Sequence, residues 1–169
     1  MLMGLHIMKV GESGACMKAM LEEKSATRGA GAERSVAEPP RPKPTVLLLE
    51  DDADIGEVLA VWMREQGLRP VRATTVSEAS QLISDLELLG ARFHGLLADY
   101  RLPDATGVRA IEEFLMAFPG CPVALMTAYH DLPVAIWAQT RGIPIFLKPL
   151  DRTSLLGWLR EIAETGQPR

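Results

Sequence analysis

The stretch Leu96-Leu97-Ala98-Asp99-Tyr100-Arg101-Leu102-Pro103 carries an apolar run to a single aspartate and closes with a proline four residues later. A short apolar run bounded by breakers reads as a buried strand. Aspartate is seldom buried unless it is paired or binds a metal, so packing gives no reason for Asp99 at that strand's end. Chemistry does, because the ligands of open α/β sheets sit outside the carboxyl ends of the strands.

Three further runs behave alike. Val46-Leu47-Leu48-Leu49 ends in Glu50-Asp51-Asp52, Pro122-Val123-Ala124-Leu125-Met126 ends in Thr127-Ala128, and Ile145-Phe146-Leu147 ends in Lys148-Pro149. Each is followed by a helix-like segment, so parallel βα units would gather an acidic cluster, Asp99, a hydroxyl and an ammonium along one sheet edge. Ile55, Val58, Leu59 and Trp62 recur at helical spacing before Gly67, which predicts a helix over 53–66 with Trp62 in the core. Pro70-Val71-Arg72-Ala73 reads as a short strand, and Thr75-x-x-Glu78 as a capping box opening a helix over 76–88. Gly107 opens a third helix that Pro119-Gly120 ends, Leu132 to Thr140 make a fourth with Pro133 in its first turn, and 151–164 a fifth. Pro144 removes a backbone donor from the last strand, which belongs at a sheet edge. His94, in the loop before the central strand, is expected to face solvent.

With acids after the first strand, Asp99 after the third, Thr127-Ala128 after the fourth and Lys148-Pro149 after the fifth, residues 46 to 165 resemble the receiver domain of two-component response regulators. Pro103 and Gly107, four and eight residues after the aspartate, fit the same pattern. Any one of these signals is weak; their joint order and spacing are specific. The resemblance implies an α/β fold of the flavodoxin-like receiver class over 45–165. Its sheet would be doubly wound, five-stranded and parallel, in the order 2-1-3-4-5.

Three carboxylates brought within about 4 Å repel by about 4 kcal/mol per pair at an effective dielectric near 20, so the cluster must raise a pKa or take up a cation. Mg²⁺, a hard ion that prefers oxygen, suits it. The resemblance implies Asp51 and Asp99 as direct ligands, Glu50 acting mainly through water, and the backbone carbonyl of Arg101 completing the protein set. It implies Asp99 as the phosphoacceptor, Lys148 neutralising charge on the phosphoryl oxygens, Thr127 donating its hydroxyl to bound phosphate, and Ala128 leaving the pocket open. Arg101 and Tyr129, two residues beyond the aspartate and the threonine, are expected to slow hydrolysis by limiting water. Asp52 and Asp54 read instead as a solvated helix N-terminus, where acids favour the macrodipole. One position departs from the family pattern: many receivers carry Tyr or Phe as a switch three residues before the lysine, and this chain has Ile145. Phe146 is expected on the opposite side of the strand, so it cannot substitute.

The chain has 169 residues, 47% of them hydrophobic, and a net charge of −4. That length suits one domain, and the acidic balance argues against the concentrated basic face that nucleic-acid phosphates require. No run approaches the about 18 to 20 apolar residues of a membrane span. The apolar start, Met1 to Met8, has no preceding basic region and is interrupted by Lys9 and Glu12, unlike a secretory signal. Cys16 and Cys121 share no metal-type spacing with His6, His94 or His130, which predicts two reduced thiols in a cytoplasmic protein. Residues 1–44 are expected to form a disordered extension with a helical turn or two from Ala15 to Lys24, ending in a Pro-rich linker. The other reading there is a docking peptide around Met17, Met20 and Leu21. Only a short tail, 166–169, follows the last helix, so no carboxyl-terminal output domain is expected.

These readings combine into a stand-alone phosphoacceptor signalling protein with self-phosphorylating and self-dephosphorylating chemistry, not an enzyme. Its expected partners are a sensor histidine kinase or histidine phosphotransfer protein and a downstream protein of unknown identity, with no direct nucleic acid and no membrane. A phosphorelay intermediate or phosphate sink, and a phosphorylation-independent interaction module, are the alternatives. A haloacid-dehalogenase-like phosphatase needs Asp-x-Asp at the strand end, which Asp99-Tyr100-Arg101 does not supply.

Overall fold

Strands β1 (Thr45–Leu49), β2 (Arg69–Ala73), β3 (Gly95–Asp99), β4 (Val123–Thr127) and β5 (Ile145–Leu147) alternate with helices in a computed structural model that describes residues 42–128 and 131–166. The helices are α1 (Ala53–Glu65), α2 (Val76–Leu88), α3 (Gly107–Ala117), α4 (Leu132–Arg141) and α5 (Arg152–Thr165). Every strand pairing is parallel and the order is β2-β1-β3-β4-β5, the doubly wound arrangement expected from the sequence. The expectations for residues 1–41, and for Tyr129 and His130, lie outside the described residues.

Burial explains the strand composition. β1, β3 and β4 are buried at every position, because helices cover both faces of a parallel sheet, and their sequences are correspondingly unbroken apolar runs. The edges tolerate proline: Pro70 lies in β2, and Pro144 precedes β5. On one face Val46, Leu48, Leu97, Ala124 and Met126 pack against Leu59, Ala60 and Met63 of α1 and Leu155, Leu159 and Ile162 of α5. Phe146 joins this cluster and meets Trp158 edge-on, ring centroids 6.0 Å apart. Trp62 is half-buried against the same cluster, with the Arg152 guanidinium 5.5 Å from its ring centre.

Local signals set the helix starts. Asp52 caps α1 by accepting from Asp54 N at 2.9 Å and Ile55 N at 3.0 Å, in agreement with its reading as a helix N-terminus. Asp151 caps α5 in the same manner, and Gly142 ends α4 in the left-handed conformation at φ 66°. The capping box is modified. Thr75 Oγ1 accepts from Glu78 N at 3.1 Å, but the Glu78 carboxylate reaches one residue further back, to Thr74 N at 2.8 Å.

His94 corrects its sequence reading. It is half-buried, its Nδ1 accepting from Thr45 N at 3.0 Å while its own backbone N donates to Thr45 O at 2.7 Å. The first strand's opening amide is thereby paired, and burial lowers the imidazole pKa. Only the alignment of the loop with β1, 49 residues earlier, decides this.

Candidate functional site

Strand register brings the acids together. Leu49 lies level with Ala98, which places Glu50, the next residue, beside Asp99. Side chains alternate along a strand, so Glu50 shares the face of Leu48, and Asp99 that of Leu97, both on the α1 and α5 side. Lys148 follows β5 with the parity of Phe146 and approaches from the same side. Its Nζ lies 2.8 Å from Glu50 Oε2 and 2.8 Å from Asp99 Oδ2. Asp51 is exposed above them, and one carboxylate oxygen from each of Glu50, Asp51 and Asp99 falls within 4.8 Å of the others.

The sequence offered two ways to relieve this repulsion, a raised pKa or a bound cation. Tertiary structure supplies a third, an internal ammonium shared by two carboxylates. Glu50 is 1% exposed, and burial pushes its carboxyl above the usual value against the opposing pull of Lys148. Burial also works against the Lys148 ammonium, but its hydrogen bonds to Asp99 and Glu50 prevail and hold its pKa above the ordinary lysine value. The open side remains rich in carboxylate oxygen. Such hard oxygen donors fit Mg²⁺ by their chemistry.

The remaining predicted residues lie at the ends of β3 and β4 and in the loops that follow. Thr127 closes β4, buried, one position past Met126, which lies level with Asp99. Its carbonyl accepts from Lys148 N at 2.8 Å, tying the lysine's backbone to the end of β4. Ala128 is exposed beyond it. Arg101 follows Asp99 in a loop where it pairs with Thr106. Gly107 has a clear reason to be glycine, since a Cβ there would stand 2.1 Å from the Asp99 carbonyl oxygen. The helix α3 can therefore start directly against the strand that carries the aspartate. An apolar groove of about 390 Å³, lined by Ile55, Val58, Leu59, Trp62, Pro149 and Leu150, opens beside Lys148. The groove was not foreseen, because its two walls come from segments about ninety residues apart, α1 and the turn after β5.

The chain is similar to known proteins in sequence and in fold. The sequence profile of the response regulator receiver domain covers residues 46–160. The response regulator protein PilR of Pseudomonas aeruginosa is 36% identical over 120 residues, 70% of this chain and 25% of PilR. The transcriptional regulatory protein GlrR of Escherichia coli is 25% identical over 124 residues, 73% of this chain and 27% of GlrR. The chain thus spans about a quarter of the length of these relatives. The non-phosphorylated HemR receiver domain from Leptospira biflexa is similar in structure, with a TM-score of 0.62 at 27% identity over 75% of this chain and 99% of that one. A CheY-like receiver domain protein from Methanospirillum hungatei shares the fold, with a TM-score of 0.64 at 22% identity over 74% and 97% of the two chains. On its sequence profile, its strand order and its similarity to these proteins, the chain belongs to the response regulator receiver domain family.

Proposed function

We propose that Asp99 accepts a phosphoryl group from a phosphohistidine of a sensor histidine kinase or a histidine phosphotransfer protein, with Mg²⁺ among the strand-end carboxylates. The observation that carries this reading is the Lys148 ammonium, 2.8 Å from both Glu50 and Asp99. Lys148 engages Asp99 Oδ2, which leaves Oδ1 to attack phosphorus. The O–P bond forms as the donor's N–P bond breaks, and that electron pair returns to the donor imidazole nitrogen. Charge in such a loose transition state spreads over the phosphoryl oxygens, and an ammonium already in place meets it without reorganisation.

Asp51, Asp99 and the Arg101 backbone carbonyl would hold the ion directly, and Glu50 through water. Bound there, Mg²⁺ supplies further positive charge to the phosphoryl oxygens. Thr127 serves the phosphoryl group as hydroxyl donor, and the small Ala128 leaves room for it. Attack by water on the phosphorus later restores the carboxylate. The groove beside Lys148 offers the donor protein an apolar surface next to the reacting atoms. The signal then passes through binding to a downstream protein, in the cytoplasm. A second reading, a phosphorelay intermediate or phosphate sink, draws on Ile145, whose half-buried β-branched side chain stands where many receivers place an aromatic switch.

Asp99→Asn removes the nucleophilic oxygen and keeps the shape, so the hydroxylamine-sensitive acyl phosphate formed from acetyl phosphate should vanish while the fold persists. Undiminished labelling in that variant would sink the assignment. Asp51→Ala should weaken Mg²⁺ binding far more than Asp52→Ala, because Asp52 is committed to the α1 cap. Equal losses would show the metal register to be wrong by one residue.

A further inference from the structure

Asp104 stands near the tip of a small hairpin that leads from β3 into α3. Two backbone hydrogen bonds close the hairpin, Gly107 N to Tyr100 O at 2.9 Å and Leu102 N to Ala105 O at 3.3 Å, and they flank the Arg101–Thr106 pair. The tip is fastened elsewhere. One Asp104 oxygen accepts from Val76 N at 2.9 Å, and the other from Ser77 N at 2.9 Å and Ser77 Oγ at 2.8 Å. Those amides are the first two of α2, 28 and 27 residues away in sequence.

An exposed carboxylate ordinarily stays mobile, since ordering it costs side-chain entropy that a solvated contact seldom returns. Asp104 has three donors and a helix N-terminus to hold it. Those hydrogen bonds, from Ser77 and then Val76, bring its carboxyl down to about 2. For α2 the carboxylate completes the cap, because Thr75 takes only Glu78 N and leaves the amides of Val76 and Ser77 to Asp104. The contact also acts on the other partner. Pro103 and Asp104 are exposed while Leu102 and Ala105 are half-buried, so at the exposed tip the tether to α2 holds the chain where burial does not. The base has a different anchor, the close approach of Gly107 to the Asp99 carbonyl. Arg101 lies between the two.

We infer that Asp104 is a positioning residue, which holds the hairpin 100–107 to the N-terminus of α2 and so keeps the Arg101 backbone carbonyl placed for the metal ion. The inference rests on the proposed role of that carbonyl. The site's metal affinity is thereby linked to the position of α2, a helix that contributes none of the proposed ligands.

The test uses Asp104→Ala and Asp104→Asn in the full chain, with Mg²⁺ affinity measured by calorimetry and phosphate uptake from acetyl phosphate followed against Mg²⁺ concentration. Partners that orient metal ligands typically change affinity by at least tenfold when removed, so Asp104→Ala should raise the Mg²⁺ Kd about tenfold. The Mg²⁺ needed for half-maximal labelling should rise by the same factor, with the labelling rate at saturating Mg²⁺ within about twofold of wild type. Asp104→Asn keeps one acceptor oxygen and should fall between. A purely capping role would lower the urea midpoint and leave the Kd unchanged, which overturns the inference. If Asp104→Ala does not fold, Ser77→Ala, which removes one of the three bonds, decides in its place: a raised Kd supports the tether and an unchanged one overturns it. Asp51→Ala separates the two levels. Loss of Mg²⁺ binding there with no change in the Asp104 variants refutes the tether alone, whereas unchanged binding in Asp51→Ala refutes the proposed metal site itself.

Discussion

Glu50 is a carboxyl held in a place that disfavours its charge. Burial raises its pKa above 4.5, against the pull of Lys148, so the folded protein binds a proton more readily than the unfolded chain in the window just above 4.5. Stability from this group therefore grows as pH falls from neutrality through that window, and is lost as pH rises through it. Lys148 has the usual sign for a paired ammonium. Its folded pKa lies above 10.5, so its contribution is fully present below 10.5 and disappears as alkaline pH passes the folded value. Urea midpoints between pH 7 and 5 check the first statement. Relative to Glu50→Gln, which has no proton to gain, wild type should become progressively more stable as pH falls, and parallel profiles would contradict it. Asp99 and Lys148 were legible as residues because each ends a strand-like run. That one ammonium would serve two carboxylates was not, because 98 residues separate Lys148 from Glu50.

β5 carries Ile145 at its start and leads into Lys148 at its end. Ile145 pairs with Leu125 and is half-buried, while Phe146 is committed to the opposite face, against Trp158 and the α1–α5 core. The structure thus agrees with the sequence that Phe146 cannot stand in for an aromatic switch. An aromatic ring can exchange between a buried and an exposed rotamer, whereas isoleucine is stiff at χ1 and has no polar tip to favour exposure. Beryllofluoride, a phosphoryl mimic, should therefore shift amide resonances at the Asp99 pocket in wild type but hardly those along α4 and β5. In Ile145→Tyr the changes should extend along that face. Large wild-type changes there, no greater in the tyrosine variant, would refute this account. Elements themselves were readable from periodicity and caps: α2 begins and ends as predicted, and α5 is shifted by one residue at each end. The displaced capping box shows the limit, since Thr74 and Thr75 offer competing amides that sequence does not distinguish.

On the proposed reading, metal binding would tie strand-end geometry to the folding of the whole described structure. The acidic cluster exists only when β1 and β3 are in register, so Mg²⁺ should bind the native state in preference to the unfolded chain. At a Mg²⁺ concentration one hundred times its Kd, the protein should gain about 2.7 kcal/mol in urea unfolding, and Asp51→Ala should gain almost none. A midpoint indifferent to Mg²⁺ in wild type would overturn the link. The sequence by itself determined the strands, their order along the chain, the helices between them and the polar residue at each strand's end, because these depend on local periodicity, turn residues and apolar runs. Only the tertiary structure decided that Lys148 bridges Glu50 and Asp99, that His94 pairs with Thr45, and that Asp104 reaches α2. Each of those contacts joins residues 27 to 98 positions apart, and its existence depends on strand register and loop path, which no local pattern encodes.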